Sequence, residues 1–115
     1  PWQYLPDLLR GYLMLAERLY KEPARFSQAW NFGPPSGELY TVGDIARMIG
    51  GQAPLPGERR FSEAGLLRID SEKSRRLLGW APRTALPEGL RRTMAFYRSL
   101  DGGASVGALM AGELE

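Results

Sequence analysis

The sequence contains neither cysteine nor histidine. Without cysteine the chain has no disulfide framework, no thiol nucleophile and no thiolate ligand for a metal. Without histidine it lacks the usual base of a catalytic triad, the usual transition-metal ligand and the side chain that titrates near neutral pH. The composition therefore removes the residues on which hydrolytic and metal-dependent enzymes most often depend.

Long apolar runs and a large charge imbalance are missing as well. No run approaches the roughly 18 apolar residues of a membrane span, and no leader pattern opens the chain, which favours a cytoplasmic protein without a membrane partner. The 15 basic and 13 acidic residues are interspersed and give a net charge of only +2, too little to indicate a nucleic-acid partner. At 115 residues the chain is one domain or a piece of one, and because it opens on Pro1 rather than methionine we expect a piece.

Three stretches show the three- and four-residue apolar spacing of amphipathic helices. The first covers residues 5–20, with Pro6 in its first turn and Asp7 at the positive end of the helix dipole. The others are predicted to start at a capping box of Thr41 with Asp44 and near Pro87. The predicted stops are Glu22-Pro23, Gly50-Gly51 and Gly102-Gly103. We predict a domain over residues 1–103 and a loosely structured tail, partly helical at best, over residues 104–115.

Two short strands are predicted between these helices, at residues 29–32 and 66–69. The apolar run of Leu66, Leu67 and Ile69 predicts that the second strand is buried. Asp70 or Ser71 can cap a helix of about two turns that follows the second strand, and Gly79 can end that helix in a left-handed conformation. Trp80 is predicted to fold back onto the core. Two isolated strands do not make a stable sheet, so we expect one or both to join a sheet that lies outside this chain.

Catalytic motifs are missing from the sequence, and three groups remain as candidates for binding. No glycine-rich phosphate loop occurs, and no tyrosine has a lysine four positions later. Trp2 with Gln3 and Tyr4 could stack on and hydrogen-bond a base or sugar, or could be an aromatic staple of the first helix. Arg59-Arg60 with Glu63 could hold a diphosphate and a sugar hydroxyl, or could be a solvated loop. The third group, a set of helical arginines, is best interpreted as a solvated face: Arg75, Arg76, Arg91 and Arg92.

The pattern from Arg68 to Pro82, with Leu78-Gly79-Trp80, resembles a signature near the carboxyl end of the extended short-chain dehydrogenase/reductases that act as nucleotide-sugar epimerases and dehydratases. Further motifs are similar to those of the CDP-glucose 4,6-dehydratases within that group. They are Pro1-Trp2-Gln3, Gly11 to Glu17, Ala29 to Pro34, Glu63-Ala64 and Phe96-Tyr97-Arg98. They follow the family's order from Pro1 to about Arg98. The resemblance implies an α/β protein of which this chain is the mostly helical, carboxyl-terminal, substrate-binding part with short strands.

The resemblance also implies a function for the longer protein. Such an enzyme oxidises a CDP-sugar at C4, removes water across C5–C6 and reduces C6 with the same hydride, using NAD held in an amino-terminal Rossmann-type domain. The residues that it assigns to the nucleotide-diphosphate sugar are Trp2, Gln3, Arg59, Arg60 and Glu63. It assigns no catalytic, metal or NAD-binding residue to this chain, and it implies a homo-oligomer for the full-length enzyme.

Two alternatives remain open at this point. One is a related epimerase or a dTDP- or GDP-sugar dehydratase, which would share the Leu-Gly-Trp motif but not the substrate. The other is a small non-catalytic module that binds an acidic partner through its basic face. In either case we expect this chain alone to have no dehydratase activity and only a marginal fold, since its strands lack partners.

Overall fold

The structure, a computed structural model, describes residues 2–35, 37–51 and 67–114. The α-helices within these ranges are α1 (Leu5–Lys21), α2 (Pro23–Phe26), α3 (Val42–Met48), α4 (Leu86–Asp101) and α5 (Val106–Leu114). A π-helix covers Ser74–Leu78. The described part of the chain is therefore mostly helical, and it contains no strand.

The helix signals in the sequence are confirmed at both ends of several helices. Pro6 lies in the first turn of α1, and Pro23 starts a separate short helix after the C-cap residue Glu22. The capping box of α3 is complete: the Asp44 N–H donates to the Thr41 hydroxyl at 3.1 Å, and the Thr41 N–H donates to the Asp44 carboxylate at 2.7 Å. In the tail, residues 106–114 are helical.

The two predicted strands are not observed in the described residues. Residues 29–34 make no backbone–backbone hydrogen bond there, and the second segment does not pair with them. The expectation that the second segment is buried is also wrong for the residues described, because Leu67 is 61% exposed; Leu66 lies outside the described residues. An apolar run indicates the capacity to be buried, but a strand forms only where another backbone supplies its hydrogen bonds.

The helix that follows this segment begins and ends as predicted but is wider than an ordinary α-helix. The Glu72 N–H donates to the Asp70 carboxylate at 2.9 Å, which caps the first turn. Residues 74–78 then form the π-helix, and Gly79 ends it with φ 73°, a left-handed conformation that glycine adopts without strain. Trp80 comes next and is fully buried, as the sequence predicted.

The core lies between α1 and the segment around Trp80. Its buried side chains are Phe26, Phe32, Leu78 and Trp80, and the partly buried Leu8, Leu15 and Leu19 of α1 pack against them. The Phe32 and Trp80 rings meet edge to face, with centroids 5.0 Å apart. Both rings approach Gly11 closely, since a Cβ there would lie 2.7 Å from Phe32 Cδ1 and 2.8 Å from Trp80 Nε1. Gly11 therefore allows α1 to lie directly on these rings.

Candidate substrate-binding site

The amino-terminal segment Trp2–Tyr4 leads into α1 and is held at two points. Gln3 Nε2 donates to the Phe32 carbonyl at 3.2 Å. Tyr4 is buried, and it lies so close to Gly89 of α4 that a Cβ there would be 3.0 Å from Tyr4 Cβ. The Trp2 side chain, in contrast, is 41% exposed. The segment thus leaves its indole exposed while its other two side chains attach it to the fold.

Gln3 carries an unsatisfied hydrogen-bond acceptor. Its Oε1 is buried and has no hydrogen-bond partner among the described residues, although the amide nitrogen of the same side chain is satisfied by Phe32. A buried acceptor without a donor costs about 1–3 kcal/mol. The side chain that holds the amino-terminal segment to Phe32 therefore carries this cost.

Asp7 and Arg10 of α1 hold the loop that connects the π-helix to α4. The buried carboxylate of Asp7 accepts hydrogen bonds from the backbone N–H groups of Arg83, at 2.9 Å, and Thr84, at 2.8 Å. Arg10 donates to the Ala81 carbonyl and lies 3.8 Å from the Asp7 carboxylate. Burial lowers the pKa of the Arg10 guanidinium, Arg83 lowers it further, and Asp7 acts in the opposite direction. These contacts fix the start of α4 relative to the start of α1.

The sequence did not predict this arrangement. It indicated Asp7 only as a favourable charge at the helix start and gave no role to Arg10. The only signal in the sequence was that Asp7, an acid in the first turn of a helix, stands beside apolar residues. That signal does not identify the partners of Asp7, which lie 76 and 77 residues away in the chain.

A groove of about 400 Å³ lies between α4 and α5, close to the amino-terminal segment. Arg91 and Arg92 line it together with Phe96, and the Arg92 guanidinium lies 6.0 Å from the centre of the Tyr4 ring. Both arginines bind Glu88, and their hydrogen bonds, that of Arg91 first, lower the pKa of Glu88 to about 2. Glu88 thus neutralises part of the positive charge of the two arginines that line the groove. The sequence predicted only a solvated face for these arginines and did not indicate the groove that they line.

The structure describes two of the five predicted substrate-binding residues. Trp2 and Gln3 lie together at the start of α1, and their assignment to the substrate stays a prediction. Arg59, Arg60 and Glu63 lie outside the described residues. In the described ranges, no group of acidic side chains has the arrangement that would hold a metal ion, and no helix is both long and apolar enough to cross a membrane.

The described residues do not fit a dinucleotide. The turn after Phe32 is closest in pattern to a glycine-rich phosphate loop, but its Pro34 and Pro35 have no N–H to offer a phosphate. At Gly33 the space that a side chain would occupy is filled by Ile69, whose Cβ would lie 2.8 Å from an added Cβ. Glycine at this position accommodates Ile69, and no cradle for a pyrophosphate results.

Comparison with known proteins shows which enzymes the chain is similar to. No family model matches it, but curated enzymes that are named for nucleotide-sugar substrates do. The chain is 40% identical to the CDP-glucose 4,6-dehydratase of Salmonella typhimurium over 105 residues, which cover 86% of this chain and 29% of that enzyme. The resemblance to the nucleotide-sugar dehydratases and epimerases predicted from the sequence motifs is thereby confirmed.

Two other relatives have different activities in their names. The UDP-glucose 4-epimerase of Mycolicibacterium smegmatis is 32% identical over 67% of this chain and 26% of its own length. The UDP-glucuronic acid decarboxylase 1 of Xenopus tropicalis is 31% identical over 84% of this chain and 22% of its own length. The chain thus spans less than a third of the length of these curated relatives.

Proposed function

We propose that this chain is the carboxyl-terminal, substrate-binding part of an NAD-dependent nucleotide-sugar 4,6-dehydratase of the CDP-glucose type. The whole enzyme would convert CDP-glucose to CDP-4-keto-6-deoxyglucose and water. The observation that carries the proposal is the 40% identity to a CDP-glucose 4,6-dehydratase across 86% of the chain. The identity to the epimerase and the decarboxylase is lower, at 32% and 31%.

The described residues support a role in binding the substrate. Trp2 is the exposed indole of the amino-terminal segment, and an aromatic face can stack on a nucleobase. Gln3 lies next to Trp2 in the same segment, and its proposed contact with the substrate rests on the resemblance. Arg59, Arg60 and Glu63 are proposed, from the resemblance alone, to hold the diphosphate and a sugar hydroxyl.

In this proposal the NAD and the catalytic groups belong to the remainder of a longer polypeptide. The residues described here do not fit a dinucleotide, and the sequence contains no tyrosine–lysine pair at the required spacing. Four further properties are proposed for that longer enzyme and not for this chain alone. They are a Rossmann-type α/β fold, the sheet of that fold, a cytoplasmic location and a homo-oligomeric assembly. The contribution of this chain would be to bind and orient the nucleotide sugar.

Turnover of CDP-glucose tests the proposal. The longer polypeptide that contains this chain would be incubated with NAD and CDP-glucose, and loss of water from the sugar followed by mass spectrometry. We expect a 4-keto-6-deoxy product from CDP-glucose and much less from UDP-glucose, UDP-glucuronic acid, dTDP-glucose or a GDP-sugar. Preferential epimerisation of UDP-glucose would favour the epimerase alternative instead. Turnover by the 115-residue chain alone would contradict the proposal that the catalytic groups lie outside this chain.

A further inference from the structure

Tyr4 lies between the exposed Trp2 and the first residue of α1. It is the N-cap residue of that helix and has an extended backbone, with φ −72° and ψ 125°. Its side chain is buried, whereas the side chain of Trp2 is exposed. Because only Gln3 separates the two residues, the Cα atoms of Trp2 and Tyr4 are at most about 7 Å apart. The position of Tyr4 therefore limits where the Trp2 indole can lie.

The Tyr4 side chain packs directly on the backbone of α4 at Gly89. Gly89 is a buried residue inside this helix. A Cβ added there would lie 3.0 Å from Tyr4 Cβ and 3.2 Å from both Cγ and Cδ2 of the ring. Glycine at an interior helix position costs about 1 kcal/mol relative to alanine. Helix stability thus does not explain a glycine here, but the close approach of Tyr4 does.

The first atom of Tyr4 that a side chain at position 89 would meet is fixed to the backbone. Rotation of the tyrosine about χ1 moves its ring but leaves its Cβ in place. A methyl group at position 89 would therefore push on the backbone of Tyr4 and not only on the ring. The displacement would pass through the peptide chain to Gln3 and Trp2.

Hydrogen bonds from outside α4 hold the start of this helix in place. The Asp7 carboxylate accepts the N–H groups of Arg83, at 2.9 Å, and Thr84, at 2.8 Å. The Glu38 carboxylate accepts the N–H of Leu86 at 3.4 Å, and the Leu86 side chain is buried. Since α4 is tied to α1 and to the segment before α3, it does not move freely away from the amino-terminal segment.

Arg92 gives α4 a second contact with the Tyr4 ring. It lies three residues after Gly89 and so on the same side of the helix. Its guanidinium is 6.0 Å from the centre of the ring, within the range of a cation–π interaction. The side of α4 that carries Gly89 and Arg92 therefore determines the position of the Tyr4 ring.

We propose that Tyr4 is a positioning residue for the nucleotide sugar: its packing on Gly89 sets the orientation in which Trp2 stacks on the nucleobase. The proposal rests on the proposed function, in which Trp2 binds the base. Tyr4 acts through Trp2 and does not itself touch the ligand. Gly89 takes part because a side chain at its position would displace Tyr4.

Gly89→Ala in the longer polypeptide tests this role. Removing the Tyr4 ring instead would take a buried aromatic side chain out of the core and threaten the fold. Alanine is the better helix former, which offsets part of the cost of the close contact, so we expect the Gly89→Ala variant to fold. Its KM for CDP-glucose should rise about fivefold with little change in kcat, since part of the stacking on the base is lost. An unchanged KM would overturn the proposal.

Gly107→Ala is the matched control, because it makes the same substitution in a helix at a position where nothing lies within 4 Å. It should leave both KM and kcat unchanged. Circular dichroism and Tm of the two variants show that both are folded. A rise in KM of the same size for Gly107→Ala would overturn the proposal, since the effect would then not depend on the contact with Tyr4.

A double-mutant cycle with Trp2 separates positioning from a general effect on the fold. If position 89 acts through the indole, Gly89→Ala should change KM by less than about twofold when it is added to Trp2→Ala. A rise of about fivefold in both backgrounds would overturn the proposal. The contact between Tyr4 and Gly89 would then support the fold without directing Trp2.

Calorimetric titration of the same polypeptide with CDP-glucose and with UDP-glucose separates this proposal from the proposed function. Turnover of CDP-glucose with a KM that Gly89→Ala leaves unchanged would overturn the positioning role alone. Tighter binding of UDP-glucose, weakened by Gly89→Ala only while Trp2 is present and without dehydration of either sugar, would overturn the proposed function alone. Binding of neither compound would overturn both.

Discussion

The indole N–H of Trp80 donates a hydrogen bond of 2.9 Å to the backbone carbonyl of Asp7, 73 residues earlier in the chain. It connects the residue after the π-helix to the first turn of α1. The Asp7 side chain extends the same connection by accepting the N–H groups of Arg83 and Thr84. A single short stretch of α1 therefore determines where the loop before α4 lies.

Replacing Trp80 by alanine is expected to destabilise the fold by about 3–5 kcal/mol, the cost of removing a large, fully buried aromatic side chain. Urea unfolding followed by circular dichroism measures this free energy. Trp2→Ala is the control, since Trp2 is 41% exposed and its loss should cost less than about 1 kcal/mol. Equal losses in the two variants would show that Trp80 does not anchor the core.

The carboxylate of Asp7 can be tested in the same way. Asp7→Ala leaves the partly buried N–H groups of Arg83 and Thr84 without their acceptor, and an unsatisfied donor costs about 1–3 kcal/mol when it is shielded from water. We expect a decrease of about 3 kcal/mol in the free energy of unfolding. Asp101→Ala, at an exposed position at the end of α4, should change it by about 0.5 kcal/mol or less. A neutral Asp7→Ala variant would mean that water replaces the carboxylate at no cost.

Two glycine-to-alanine substitutions in helices should have opposite effects on stability. At Gly11 the new methyl group would meet Phe32 at 2.7 Å and Trp80 at 2.8 Å, so we expect destabilisation by about 1–3 kcal/mol. At Gly107 of α5 nothing lies within 4 Å, and alanine should stabilise the helix by up to about 1 kcal/mol. Thermal unfolding of the two variants compares them directly. The same sign of change at both positions would contradict the close packing at Gly11.

The ion pairs of Glu88 predict a dependence of stability on pH. Hydrogen bonds from Arg91 and Arg92 lower the pKa of Glu88 from 4.5 to about 2 in the folded chain. Because the folded-state pKa is the lower one, the stabilising contribution is present above the ordinary value and is lost as the pH falls towards about 2. The stability difference between the parent chain and Glu88→Gln should therefore shrink to zero over this range. Convergence at a pH well above this range would contradict the ion pairs of Glu88 with Arg91 and Arg92.

The proposed role of Trp2 gives a kinetic prediction for the longer polypeptide. If the indole stacks on the nucleobase, Trp2→Ala should raise KM for the nucleotide sugar about tenfold, in line with about 1–3 kcal/mol for a stacked base. The value of kcat should change little, because stacking binds the ground state and the transition state alike. Tyr97→Ala, which removes another exposed aromatic ring, is the matched control. An unchanged KM for Trp2→Ala would remove Trp2 from the binding site.

Local signals in the sequence predicted most of the helical structure. Pro6, the Thr41–Asp44 capping box and Gly79 each act within a few residues of their own position, and each was found where it was expected. The predicted strands were not found, because strand formation depends on a partner backbone and not on the segment alone. Trp2 and Gln3 lie near each other simply because they are adjacent in the sequence. The contacts of Asp7 and Arg10 with the loop before α4 could not be predicted, because their partners lie more than 70 residues away in the chain.

Local signals in the sequence set the start of α1 and α3 and the end of the π-helix. The composition accounts for the lack of thiol and imidazole chemistry, and the motifs shared with nucleotide-sugar dehydratases and epimerases are visible in the sequence. Which apolar residues are buried depends on contacts between distant parts of the chain. Leu8 and Leu13 look alike in a periodic pattern, yet Leu8 packs on the core and Leu13 is 63% exposed. The difference lies in the sequence separation of the interacting residues. Helix caps and helix ends depend on residues a few positions away, whereas burial and long-range hydrogen bonds depend on which distant segments the fold brings into contact.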